Sequence, residues 1–336
     1  MKIFNEEGIK IMLLKGSHLA QFVYENVGLR PMVDIDIMVK KEDLHKAEVL
    51  LFQMGYDYIQ MYQIAQKQDS FIEQKKRSHH HLALLSNPKG IKNLEVHWTI
   101  IRQSLPLNID LKGLWKRAKG EKINGTEVLV PSPEDNLLYI SLHASYNDKF
   151  ICGVRPLCDI AAIVNHYDNK IDWHRLQLRA HEWGAEKSLY LTLRLSQDIL
   201  GLSLPGSVLN TLKPVPFNEK IVLEAQKRIF SIIKKESMGT FIRYPEKFRY
   251  DMSLSKKISY IFHEIFISPD KLALYYSLSP SSKHVYFYYF VRIYRNIVQY
   301  AKFLIYLLTH KKADFYNYNL DTWLIPSNSE KVKKTR

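Results

Sequence analysis

The stretch VDIDIMV, residues 33–39, combines the alternation of a buried strand with two acidic side chains. Because side chains alternate along a strand, the carboxylates of Asp34 and Asp36 project from the same face and repel each other. Burying both carboxylates without a partner is costly, whereas on an edge strand both can be solvated. Carboxylate oxygens are ligands that Mg²⁺ prefers, so a divalent cation between them would offset the cost of burial. The stretch therefore predicts a strand that carries a metal site.

A short polar turn lies upstream of this strand. Lys15-Gly16-Ser17 separates an apolar run, residues 9–14, from a segment with helical spacing, residues 18–27. At the start of a helix, free backbone N–H groups and the helix dipole attract anions, and here a hydroxyl and a lysine add to that attraction. The turn is predicted to bind a phosphate group, although a Gly-Ser turn before a helix is more often a plain turn.

A third carboxylate lies on a later strand. Residues 94–100 form an alternating segment in which Glu95 projects from one face together with His97. If this strand neighbours the Asp strand, Glu95 completes a cluster of three carboxylates that can hold one or two Mg²⁺ ions for in-line phosphoryl or nucleotidyl transfer. Otherwise Glu95 is a salt-bridged strand residue, and His97 is either close to the metal or structural.

Two further features are weaker indicators of function. Arg30 precedes the Asp strand, where its guanidinium can reach a phosphate or serve only at the surface. The tract His79-His80-His81 lies at the start of a predicted strand, residues 80–85. Consecutive strand residues cannot all face one ion, so at most one of these histidines is expected near the site.

The order of short strands and helices predicts an α+β chain of several parts. Residues 1–125 are predicted to form a small domain with a mixed or antiparallel sheet. Residues 126–210 are predicted to be helical, beginning with the helix-start signal Ser132-Pro133. Residues 211–329 read as a basic helical region, and residues 330–336 as a disordered tail.

The positive charge of the chain is unevenly distributed. The net charge is +14, and residues 211–336 supply +12 of it, with 22 Lys and Arg against 10 Asp and Glu. This part is expected to attract something anionic: nucleic acid, acidic lipid or an acidic substrate. Two cysteines are too few for a disulfide framework, and the charged first ten residues do not resemble a signal peptide. A cytoplasmic location is therefore expected.

One apolar segment requires a test for membrane insertion. Residues 285–308 are rich in aromatic side chains but contain Arg292, Arg295 and Lys302, which are too polar for a spanning helix. An amphipathic helix is expected, either packed on the body of the protein or lying peripherally at a membrane surface.

The motifs together resemble a known group of enzymes. The series LLKGSHLA, VDIDIMV, HHHLALL, LEVHWTI and PSPEDNLLYISLHA is similar to a bacterial family of uncharacterised nucleotidyltransferases, within the polymerase-beta-type superfamily. The similarity covers roughly residues 8–210. It implies that Gly16 and Ser17 bind the nucleoside triphosphate and that Asp34 and Asp36 bind metal. Glu95 stands where aspartate is commoner in the superfamily, and a lysine before the glycine is not a general feature of it.

The expected activity is therefore Mg²⁺-dependent transfer of an NMP from ATP or another NTP. Asp34, Asp36 and Glu95 are the predicted catalytic and metal-binding residues, and Lys15-Gly16-Ser17 and Arg30 are the predicted nucleotide-binding residues. The acceptor is expected to be a hydroxyl or phosphate of a small molecule, sugar or peptide, with release of pyrophosphate. The alternatives are transfer to RNA, such as tRNA ends, and a non-catalytic module that docks on a membrane or partner.

Overall fold

The computed structural model describes most of the first 231 residues and parts of the remainder. The described ranges are 1–59, 80–89, 92–103, 105–231, 282–309 and 320–325, with single residues between 266 and 278. The chain divides into two compact units: the first holds the described residues of Met1–Ile59, Glu73–Ser231 and Leu320–Arg336, and the second those of Ile232–Asn319. The predicted domain boundaries at 125/126 and 210/211 stay predictions, and the predicted tail lies outside the described residues.

Seven strands of the first unit form one mixed sheet. They are Met12–Leu13 (β1), Asp34–Met38 (β2), Asp57–Tyr58 (β3), Leu85–Ser86 (β4), Asn93–His97 (β5), Lys119–Ile123 (β6) and Thr126–Val130 (β7). Their order across the sheet is β3-β4-β5-β2-β1-β7-β6. Strand β2 is parallel to β5 on one side and antiparallel to β1 on the other. The predicted α+β class, with a mixed sheet followed by helices, is confirmed.

Twelve α-helices lie in the described ranges. They are Lys2–Glu6 (α1), Lys15–Phe22 (α2), Leu44–Gln53 (α3), Leu111–Arg117 (α4), Pro133–Leu142 (α5), Arg155–Tyr167 (α6), Trp173–Trp183 (α7), Glu186–Leu200 (α8), Val208–Leu212 (α9), Lys220–Ile229 (α10), Val285–Thr309 (α11) and Leu320–Trp323 (α12). None of the helices in these ranges combines the length and the apolar composition needed to cross a membrane.

The position of β2 in the middle of the sheet explains its apolar character. Burial increases along the strand, so that Asp34 is half-buried whereas Ile37 and Met38 are buried. Met38 belongs to the main core, which also contains the fully buried Tyr139 and Trp183 of the helical part. The strand is not at an edge, so the carboxylate of Asp36 is buried rather than solvated.

Two predicted elements differ from those observed. Helix α2 begins at Lys15 rather than His18, so the predicted turn is already its first helical turn. The predicted strand at 80–85 is wrong in extent, because only Leu85–Ser86 forms a ladder there. Upstream of Leu85 the chain makes separate backbone contacts, including Leu82 N–H to Val96 O at 2.8 Å and an isolated bridge between His81 and His97.

The start of the helical part follows from local sequence. The Ser132 hydroxyl accepts a hydrogen bond from the Asp135 N–H at 3.2 Å, and Pro133 occupies the first turn of α5. A hydroxyl cap satisfies one of the unpaired N–H groups of the first turn, and proline has no N–H to satisfy. The predicted helix start is confirmed.

Candidate active site

Two carboxylates meet across the parallel strands β2 and β5. The register pairs Asp34 with Asn93, Asp36 with Glu95 and Met38 with His97. Directly paired residues on one sheet face have neighbouring side chains. The sequence left open whether the Glu95 strand neighbours the Asp strand, and the structure places the two strands side by side.

Lys15 supplies the positive charge at this pair. Its Nζ donates a hydrogen bond to Asp36 Oδ1 at 2.6 Å and lies 3.9 Å from Glu95 Oε2. Burial alone would lower the pKa of Lys15, but the neighbouring carboxylates of Asp36 and Glu95 raise it, so the ammonium stays charged. Lys15 also has a φ of +42°, an uncommon value for a residue with a Cβ, at the first residue of α2.

His97 contacts the same carboxylates from within the sheet. Its Nε2 lies 2.9 Å from Asp36 Oδ1 and 3.5 Å from Glu95 Oε2, and the imidazole is buried. Burial would raise the pKa of Asp36, but Lys15 and His97 hold it well below its usual range. The pKa of Glu95 is also lowered, because contacts with His97, His81 and Lys15 outweigh its burial. Both carboxylates are therefore anionic near neutral pH.

Asp34 has a different electrostatic environment. Burial raises its pKa, and repulsion from Asp36 and Glu95 adds to the increase, outweighing the attraction of Lys15. Asp34 is therefore repelled by Asp36 and Glu95, and Lys15 offsets only part of that repulsion. A further cation on the sheet face that carries these carboxylates would be favourable, because it would reduce the repulsion between them.

The donor atoms here suit a divalent metal ion. One ligand atom each from Asp36, Glu95 and His97 can be chosen so that all lie within 4.8 Å of one another. Two carboxylate oxygens are hard ligands suited to Mg²⁺, and an imidazole nitrogen is also a common metal ligand. Asp34 lies on the same strand outside this group, so its predicted function as a ligand stays a prediction.

The Gly16-Ser17 part of the turn packs tightly against its surroundings. A Cβ on Gly16 would lie 3.3 Å from the Cβ of Met32, which explains the small residue at this position. The Ser17 Oγ lies 2.6 Å from both Leu14 O and Asp36 O. The hydroxyl therefore ties the start of α2 to the strand that carries the two aspartates. That either residue binds a nucleotide stays a prediction.

Arg30 forms a buried ion pair with a residue of the helical part. Its Nε and Nη2 donate to the two Asp159 carboxylate oxygens at 2.6 and 2.8 Å, and Nη1 donates to Pro31 O at 2.9 Å. The Tyr24 hydroxyl donates to Asp159 as well, at 3.0 Å. This geometry ties the turn before β2 to helix α6, and the predicted contact between Arg30 and a phosphate stays a prediction.

Two histidines of the predicted tract lie beside His97, so the expectation of at most one is wrong. The ring centroids of His80 and His81 lie 5.4 and 5.1 Å from that of His97. Burial and the neighbouring imidazoles lower the pKa of His81 to about 4 and that of His80 further. Both rings are therefore neutral near pH 7. His79 lies outside the described residues.

Tyr139 is a member of the site that the sequence does not reveal. It lies in α5, is fully buried and interacts electrostatically with Lys15, Asp36 and Glu95. Burial raises the pKa of its hydroxyl, so it is an uncharged phenol beside the charged cluster. In the sequence Tyr139 is one apolar residue among many in a buried helix, which carries no signal of its position.

A carboxylate pair joined across parallel strands, next to a cationic helix start, is an arrangement that can hold a divalent cation close to phosphate groups. Residues 1–201 independently match the model of a family described as uncharacterised nucleotidyltransferase. The chain belongs to this family, and it is a nucleotidyltransferase. Family membership favours an enzyme over the non-catalytic docking module.

One distantly similar protein has a solved structure. The solution structure of the antibiotic-resistance factor ANT(2″)-Ia is 12% identical to the chain, with a TM-score of 0.35. The match covers 53% of this chain and 84% of that one. At this TM-score the likeness carries no argument about fold or activity. No curated protein matches the chain significantly.

Proposed function

We propose that the chain transfers an NMP from an NTP to a hydroxyl or phosphate oxygen of a small-molecule, sugar or peptide acceptor in a Mg²⁺-dependent reaction. The observation that carries this proposal is the pairing of Asp36 with Glu95 across parallel strands, with the Lys15 ammonium beside both. Such a cluster has little use as a structural element, because burying like charges side by side is costly.

Each side chain has a defined task in this proposal. Asp36 and Glu95 would hold the metal, and the His97 imidazole contacts both carboxylates. Lys15, at the start of α2, turns from Asp36 to the triphosphate when the nucleotide binds. When bound, Mg²⁺ neutralises the charge of the triphosphate and stabilises the leaving pyrophosphate.

The transfer step exchanges one P–O bond for another. An acceptor oxygen forms a bond to the α-phosphorus, and the bond between that phosphorus and the bridging oxygen to the β-phosphorus breaks. Pyrophosphate carries away the bonding electron pair. In this proposal Asp34, half-buried on the same strand as Asp36, accepts the acceptor proton.

The second candidate function is the same transfer onto RNA. The net charge of +12 in residues 211–336 favours it, because a basic surface attracts the phosphate backbone. RNA binding that weakens steeply with added salt, together with transfer to RNA in preference to small acceptors, would establish this alternative.

Isotope position in the donor tests the proposed reaction. NTPs labelled at the α-phosphorus or the γ-phosphorus are incubated with the enzyme, Mg²⁺ and either a small-molecule extract or total RNA. We expect α-label in the acceptor and γ-label in pyrophosphate, with neither product formed by the Asp36→Asn variant. Transfer of γ-label to an acceptor, or its release as orthophosphate, would contradict nucleotidyl transfer.

Replacing Lys15 separates metal binding from nucleotide binding. In the Lys15→Met variant we expect metal affinity without nucleotide to rise about tenfold, because a competing cation is removed from Asp36. We expect NTP affinity with Mg²⁺ present to fall by about tenfold or more, because a phosphate partner is lost. Calorimetry with Mg²⁺ alone and with NTP measures both.

The matched control for this variant is Lys10→Met, which removes an exposed lysine of the same segment. Its affinities for Mg²⁺ and NTP should equal those of the wild type. Weaker metal binding in Lys15→Met than in the control would contradict the competition between lysine and metal.

A further inference from the structure

The second unit carries an exposed apolar surface on its long helix. Within α11 (Val285–Thr309) five large side chains are between 60% and 72% exposed. They are Tyr286, Phe287, Phe290, Tyr294 and Ile297. At 100° per residue these positions fall within one 100°-wide sector of the helix, about 16 Å long. They are called here the exposed stripe.

The opposite side of the same helix is already packed. Val285 is buried against Leu272 and Ala273, and the Tyr288 ring lies 4.4 Å from that of Tyr276. The Tyr289 hydroxyl donates a hydrogen bond to Ile267 O. One side of α11 therefore packs against the core of the second unit. The exposed stripe lies on the other side of the helix.

The charge of the helix restricts what can cover the exposed stripe. Val285–Thr309 contains Arg292, Arg295 and Lys302 but no Asp or Glu, in a region with a net charge of +12. Arg295 and the preceding Lys283 are exposed. By the same 100° spacing Arg292 falls on the packed side of the helix, whereas the exposed Arg295 lies beyond one edge of the exposed stripe. Because the helix has no acidic residue, its charge favours an anionic covering surface, and the exposed stripe requires that this surface accept aromatic side chains.

From these observations we propose that the exposed stripe docks on an anionic lipid surface, with α11 lying in the plane of the interface. Tyrosine and phenylalanine rings enter the headgroup and acyl boundary, and the exposed Lys283 and Arg295 contact acidic headgroups. A convex helix face suits such insertion, whereas single-stranded RNA is bound in grooves that follow its backbone.

Vesicle flotation of the full-length protein tests this proposal. We expect flotation with vesicles of phosphatidylcholine mixed with phosphatidylglycerol and little with phosphatidylcholine alone. The Phe287→Glu/Phe290→Glu variant should lower the vesicle-bound fraction at least about tenfold, because it replaces inserted rings with negative charges. The control Leu178→Glu/Leu223→Glu makes the same charge change at exposed apolar residues of the first unit and should bind like the wild type.

The outcomes separate this proposal from the proposed reaction. Mg²⁺-NTP binding should be the same in both double variants and the wild type, so loss of vesicle binding alone identifies a lipid-binding surface. Absence of flotation with anionic vesicles, or an equal loss in both double variants, would overturn the proposal. RNA binding lost only in Phe287→Glu/Phe290→Glu, without vesicle binding, would assign the exposed stripe to RNA instead and also overturn it.

Discussion

The Asp36→Asn variant is expected to lose nucleotidyl transfer by a factor on the order of 10³ or more. Asp36 contacts Lys15 and His97 and pairs with Glu95, so its charge is at the centre of the proposed metal site. Metal and carboxylate together are expected to contribute several kcal/mol to transition-state stabilisation, and each 1.4 kcal/mol is about tenfold in rate. Pyrophosphate release with Mg²⁺ and NTP measures the effect.

The fold of this variant should be retained, because asparagine has the same shape and its amide oxygen still accepts the Lys15 hydrogen bond. Circular dichroism and thermal unfolding check this point. The control Glu42→Gln removes an exposed carboxylate shortly after the same strand and should keep full activity. A folded Asp36→Asn protein that still transfers NMP at the wild-type rate would refute the assignment.

Breaking the buried ion pair should give the largest loss of stability. In the Arg30→Met variant the Asp159 carboxylate, only 2% exposed, keeps the Tyr24 hydroxyl but loses its charged partner. Removing one member of a buried pair costs about 3–5 kcal/mol, because the other charge is left uncompensated. Urea unfolding followed by circular dichroism measures the change in the free energy of unfolding.

Two further variants define the origin of this loss. Arg155→Met removes an exposed arginine at the start of the same helix as Asp159 and should change stability by less than about 0.5 kcal/mol. Arg30→Met/Asp159→Leu removes both charges and should recover part of the loss. If Arg30→Met unfolds like the wild type but binds NTP weakly, Arg30 contacts the nucleotide and the structural account is wrong.

Local patterns were sufficient to predict much of the fold. The alternation at 33–39 predicted β2, and the Ser132-Pro133 signal predicted the start of α5. The sequence pattern predicted the start of α2 at His18 instead of Lys15. Lys15 has a positive φ, which no local sequence pattern indicates. Residues 80–85 have the composition of a strand, but upstream of Leu85 they form only an isolated bridge. A regular ladder also depends on the neighbouring strands, which the local sequence does not describe.

The sequence singles out the carboxylates of the site, but it does not show which side chains contact them. Asp34, Asp36 and Glu95 stand out because charge is unusual on apolar strands. Tyr139 carries no such contrast, and which histidines of the tract 79–81 reach the site depends on contacts between segments distant in sequence. Arg30 and Asp159 are 129 positions apart in the sequence. A single sequence does not show that two such distant residues form an ion pair.

The central claim is that the carboxylate cluster on β2 and β5 binds a metal–nucleotide complex. Its most direct test is calorimetric titration of each of the four NTPs, with and without Mg²⁺, into the wild type and the Asp34→Ala/Asp36→Ala variant. We predict Mg²⁺-dependent binding of at least one NTP to the wild type and no such binding to the folded variant. Equal binding to both proteins, or no Mg²⁺-dependent binding to either, would contradict the claim.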